Sequence, residues 1–253
     1  MLRLVTIPIS HYCEKARWAL ERAGLGYREE PHVQGVHRVA SRRAGGRGTV
    51  PVLVTGEGAI ADSSEILDWT DRRIAPEQRL FPDDPRQRGE VAALCRRLDG
   101  ELGPRGRRLI YVHMFAQPKM ALDFNNRGVP AWEDRAIRWG WPLAARFVSR
   151  ELGIRRGIEI EDEAAVWREL DFVAGLLADG RRHLCGDRFT AADLTFAALC
   201  ASVLLPPDYG VPLPQPELLA PSTAALVGRA REHPAGRHAL AVIADRRRAR
   251  VTA

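Results

Sequence analysis

Lysine is nearly missing from this chain: among 38 lysines and arginines only Lys15 and Lys119 are lysine. The arginines that carry the formal charge of +6 are scattered among acids and gather on no single element. That distribution points to a coding bias and away from a nucleic-acid footprint, so no nucleic-acid partner is expected. Cysteine is also scarce. Cys13, Cys95, Cys185 and Cys200 form no CxxC pair and no metal-ligand spacing, and the histidines complete none, which excludes a disulfide framework and a metal centre. A reduced, cytoplasmic protein without a metal is expected. No basic segment followed by an apolar one opens the sequence, and the most apolar stretch, Phe189 to Leu205, contains Asp193. Neither a signal peptide nor a membrane span is expected, and no membrane partner.

What is present suits a globular protein of one large or two small domains: 253 residues, 45% hydrophobic and 28% charged. Leu2 to Ile7 is a short apolar run closed by Pro8, as in a buried parallel strand. From His11 the pattern turns helical. Cys13, Ala16, Leu20 and Ala23 form the apolar stripe, with Glu14, Lys15, Arg17, Glu21 and Arg22 between them, and Gly24 and Gly26 end the helix. Tyr27 to His32 suits a second strand, and Gln34 to Gly48 holds at most a short helix. Val50 to Thr55 and Gly58 to Ala61 flank Gly56 as in a hairpin, and Ser63 to Arg73 has helical spacing. Pro51 stands at a strand entrance, compatible with a rigid turn or a cis bond. Ala75 to Pro85, with three prolines, is the linker. Beyond it Val91 to Leu102, Ala131 to Leu152 and Glu163 to Leu177 have helical spacing, Pro206 to Pro221 is a long loop, and Arg246 to Ala253 a loose tail. In GDRFTAADLTFAAL, Gly186 to Leu199, Thr190 caps a helix while Asp193 reaches back and Phe189 packs on Leu194.

Taken together, Ser10-His11-Tyr12-Cys13 at a strand-to-helix turn, Val50-Pro51-Val52-Leu53, Asp62-Ser63 before a helix and the Thr190 capping segment resemble the cytosolic glutathione transferases, of serine type. The resemblance implies an α/β thioredoxin-like domain at residues 1–74, a linker at 75–87 and an all-α domain at 88–253. It also implies a homodimer that binds glutathione as co-substrate, stabilises its thiolate and conjugates it to a small apolar electrophile.

The same resemblance assigns roles. Ser10 would donate a hydrogen bond to the thiolate, with Tyr12 and Cys13 as alternatives. Cys13 carries the rival chemistry, a glutathione-dependent thiol-disulfide reductase, because the Ser10 to Cys13 segment resembles a glutaredoxin motif whose first cysteine has become serine. A third reading is a non-catalytic interaction protein on this fold. Thr49, Val50, Pro51, Asp62 and Ser63 would hold the tripeptide. His11 and Thr49 replace a proline and a lysine common in the family, so Arg47, His37 or Arg38 are candidates for the glycine carboxylate. Tyr111, His113, Met114 and Phe115 would line the electrophile pocket.

Overall fold

The computed structural model describes residues 1–251, with side chains as far as Arg246. Four strands, β1 (Leu2–Thr6), β2 (Tyr27–Pro31), β3 (Val52–Thr55) and β4 (Gly58–Ile60), form one mixed sheet in the order β2-β1-β3-β4. β1 pairs in parallel with β2, Leu4 opposite Glu29, and antiparallel with β3, Leu4 opposite Leu53. Three helices accompany the sheet: α1 (His11–Arg22), α2 (Val36–Arg43) and α3 (Ser63–Asp71). This is the thioredoxin-like order read from the sequence. Its core is Leu4, Ala16, Leu20, Leu53 and Ile66, all fully buried, each larger side chain contributing about 1.5–3 kcal/mol of transfer free energy. Gly24, at φ 64°, takes the left-handed turn that ends α1.

The remaining described chain is helical: α4 (Pro85–Gly100), α5 (Leu102–Phe115), α6 (Pro118–Asn125), α7 (Ala131–Trp139), α8 (Trp141–Glu151), α9 (Ile158–Leu176), α10 (Ala191–Leu204), α11 (Pro221–Glu232) and α12 (Pro234–Val251). Two compact units result, one of residues 1–74 and 114–155, the other of 75–113 and 156–253. In the first, α6, α7 and α8 supply Leu122, Ile137, Trp141 and Ala144 to a small core around Val33. Glu133, buried on α7, accepts from the Val33 amide at 3.0 Å and lies 2.8 Å from His32 Nδ1, which holds the segment after β2. In the second unit every residue of α10 is buried. Arg97 and Arg108 make bidentate bonds from α4 and α5 to Glu169 and Asp162 of α9.

Several expectations need correction. Ala131 to Leu152 is two helices, because Pro142 lacks the donor that would continue α7 and the chain bends at Gly140. Helix α4 begins at Pro85, six residues before the apolar spacing, with Asp84 accepting from the Gln87 amide at 2.8 Å. The tail expected from Arg246 is instead helical through Val251, and Thr252 and Ala253 lie outside the described residues. Most informative is α1, where Glu14, Lys15 and Arg17, read as its polar face, are 0–3% exposed.

Candidate active site

Three backbone corners of the first unit carry the residues singled out from the sequence. The first is the turn from β1 into α1. Ser10 is the N-cap of α1, half-buried, and its Oγ accepts from the Cys13 amide at 3.4 Å. An oxygen that accepts from inside the helix retains its own O–H to donate. It sits at a helix N-terminus, where a negative charge is stabilised.

Cys13, three residues on, has no exposed surface. Burial pushes its thiol up, against the opposing pull of Arg17 and of hydrogen bonds from Ser10 and the Ile7 backbone. A thiol in that environment is a poor nucleophile. Tyr12 is half-buried and its ring lies 4.5 Å from that of His11.

Beneath the turn sits a buried charge network that spacing alone did not reveal. Arg17 forks onto Glu29, with Nη2 to Oε1 at 2.6 Å, reaches Glu14 at 3.1 Å and donates to the Pro8 carbonyl at 2.9 Å. Thr6 Oγ1 donates to Glu29 at 2.6 Å. Burial would lower the Arg17 pKa, but Glu14 and Glu29 more than offset it, so the guanidinium stays charged. Arg17 and Glu29 together thereby join the end of β1, the turn, α1 and β2. Because Pro8 is two residues before Ser10, Arg17 fixes the segment that aims the hydroxyl.

The second corner is Thr49-Val50-Pro51. The Val50–Pro51 bond is cis. Ladder pairing of β3 begins at Val52, opposite Val5, so half-buried Val50 lies just beyond the sheet. Ser41 of α2 braces this loop, donating to the Thr49 carbonyl at 2.7 Å and accepting from the Gly48 amide at 3.1 Å. The approach leaves no room for a side chain at Gly46, where a Cβ would come within 2.6 Å of both Ser41 Oγ and Val52 Cγ2.

At the third corner Asp62 is the N-cap of α3 and accepts from the Ser64 and Glu65 amides at 2.7 and 3.4 Å. Ser63 follows it, 4% exposed, at the first helical position. Ser64 accepts at 2.8 Å from Nζ of the fully buried Lys15. An ammonium on α1 is thus hydrogen-bonded to the first turn of α3, a link that no local sequence signal announced.

Of the candidates for the glycine carboxylate, His37 is pushed down to about 4, chiefly by burial, and its Nδ1 accepts from the Gly35 amide. It is neutral near pH 7. Arg38 is paired with Glu151. Arg47 is exposed and makes no ion pair among the described residues. Tyr111, His113, Met114 and Phe115 all lie half-buried on α5. His113 Nδ1 lies 3.0 Å from Thr223 Oγ1, and Phe115 meets Trp141 edge-on at 5.6 Å.

Residues 4–78 match the model of the glutathione S-transferase N-terminal domain. The chain also aligns with a glutathione S-transferase from Rhodospirillum rubrum F11, at TM-score 0.55 and 22% identity, over 95% of this chain and 92% of that one. It is of glutathione S-transferase fold, with the family's N-terminal domain at residues 4–78.

A glutathione transferase F2 from Populus trichocarpa aligns with TM-score 0.59 and 14% identity, over 98% of this chain and all of that one. A curated glutathione S-transferase of Pseudomonas putida is 30% identical over 99 residues, 39% of this chain, and the chain matches 44% of that relative's length. All three corners fall within the glutathione S-transferase N-terminal domain. Ser41, Arg17 and Lys15, which brace those corners, fall within it as well.

Proposed function

We propose that this protein is a glutathione S-transferase-type enzyme, in which Ser10 stabilises the thiolate of bound glutathione for attack on an apolar electrophile. The supporting observation is the contrast at the α1 N-terminus: Ser10 is partly exposed while Cys13 has no exposed surface. Lowering a thiol pKa from about 8.5 to about 6.5 requires roughly 2.7 kcal/mol. A hydrogen bond to a charged group contributes about 1.5–3 kcal/mol and a helix N-terminus about 0.3–1 kcal/mol, so Ser10 and the helix end together suffice. The sulfur attacks the electrophilic carbon directly, forming the C–S bond as a leaving group departs with its electron pair or a conjugated π bond opens, and the protein forms no covalent bond.

In this reading the backbone of Val50, with Thr49 and Pro51, holds the cysteinyl unit. Asp62 and Ser63 at the N-terminus of α3 receive the γ-glutamyl end, whose carboxylate suits the helix end. Arg47, unpaired and exposed, is the counter-charge for the glycine carboxylate. Met114 and Phe115 contribute to the electrophile site. The protein acts in the cytoplasm as a homodimer, with glutathione as co-substrate and no metal.

Titration calorimetry with glutathione tests the reading, with binding expected below millimolar concentration. No detectable binding would indicate a non-catalytic interaction protein. Ser10→Ala is expected to raise the pKa of bound glutathione by about one to two units, roughly 1.4–2.7 kcal/mol, with little loss of affinity. Cys13→Ser is expected to leave conjugation unchanged, and stoichiometric, reductant-sensitive glutathionylation of Cys13 would instead establish the reductase.

A further inference from the structure

The bent pair α7 and α8 packs with one side and leaves the other largely exposed, with Arg38, 5.9 Å over the Phe147 ring, reaching it from α2. Glu133 and Ile137 of α7 and Val148 of α8 are buried, and Trp141 and Ala144 pack toward Val33. On the opposite side Trp132 and Trp139, seven residues apart, are 57% and 92% exposed, and Leu143 and Phe147, four apart, are 75% and 42% exposed. At 3.6 residues per turn these spacings keep each pair on one face, where a helix docked on a domain ordinarily carries polar residues.

Positive charge is in excess around this face. Every acid of the two helices is already engaged: Glu133 with His32 and the Val33 amide, Asp134 with Asn126 and Arg138, Glu151 with Arg38. The exposed arginines 135, 146 and 150 make no salt bridge among the described residues. The result is an exposed set of indole, leucine and phenylalanine side chains flanked by three guanidinium groups that form no salt bridge among the described residues.

We propose that the outer face of α7 and α8 is a docking surface for an anionic lipid bilayer, which the helices meet lying in the interfacial plane. Tryptophan, leucine and phenylalanine on one side with arginines at the margin are what such a helix requires. The sequence excluded a membrane partner on span length, and no described helix is long and apolar enough to cross a membrane. An in-plane helix needs no such length. A second copy of this chain is the less suitable occupant, because a two-fold contact pairs this face with itself and would bring six arginines into one interface with no unengaged acid of the two helices to meet them.

Co-sedimentation of the full chain with phosphatidylcholine vesicles, with and without phosphatidylglycerol, tests the proposal. Binding is expected to the anionic vesicles, with a blue shift of tryptophan emission, and to weaken as salt is added. Trp139→Glu with Leu143→Glu is expected to abolish it, and Arg135→Gln, Arg146→Gln and Arg150→Gln each to lower the partition coefficient about fivefold. These side chains are exposed, and the salt series on the unaltered protein does not depend on any variant. Absence of binding at low ionic strength, or equal binding to neutral vesicles, would overturn the proposal. So would a dimer in sedimentation velocity that Trp139→Glu dissolves while vesicles leave the protein in solution.

Discussion

At the scale of single residues, the groups that orient the candidate site are charged and out of sight of solvent. Arg17→Met removes one member of a buried network and leaves Glu14, 1% exposed, without that partner. The expected cost is about 3–5 kcal/mol, read from the urea midpoint. Glutathione affinity should fall with it, since the Pro8 carbonyl before Ser10 loses its donor. His37 gives a pH signature. Its pKa near 4 in the folded protein lies below the ordinary histidine value of 6.5, so between those values the unfolded chain binds the proton more readily. Stability is therefore expected to fall as pH drops from about 6.5 to about 4, by no more than roughly 3 kcal/mol, and to change no further from this source below that. A His37→Gln variant with an unchanged pH profile would show that another group is responsible.

At the scale of elements, legibility followed locality. The β1 to α1 turn, the Val50–Pro51 corner and the α10 cap each rest on a few adjacent residues whose chemistry has few alternatives, and each formed where the sequence placed it. Asp193 shows how completely such a signal can be built in: it is buried and accepts from the Thr190 amide, the Thr190 hydroxyl and the Leu184 amide, all within 2.9 Å. Thr190→Ala should cost about 1–2 kcal/mol and Asp193→Ala more, because it also strips the Leu184 amide of its acceptor; denaturant midpoints would rank the two. What could not be read locally was which side of α1 faces water. A polar stripe at helical spacing predicts a solvated face only when nothing packs on it, and here Glu29 from β2 and Ser64 from α3 close over Arg17 and Lys15. The same limit concealed the outward tryptophans of α7, since apolar spacing does not say which apolar residues find a partner.

At the scale of the whole molecule, the first compact unit is assembled from residues 1–74 and 114–155, separated by 39 residues that belong to the second. The Val33 core needs Leu122 and Ile137, and the Val33 amide needs Glu133. A fragment of residues 1–84, although it holds the whole glutathione S-transferase N-terminal domain, is therefore expected to retain far-UV helical signal with weakened near-UV signal and cooperativity. A fragment as stable as the full chain would refute this. The division also bears on how the protein is made. A ribosome adding about 5–20 residues per second releases the four strands early, yet the partners of Val33 emerge only some seconds later. During that interval the segment after β2 has its apolar residues uncovered, and chaperone occupancy of that segment should end when α8 leaves the exit tunnel, well after β4 has emerged.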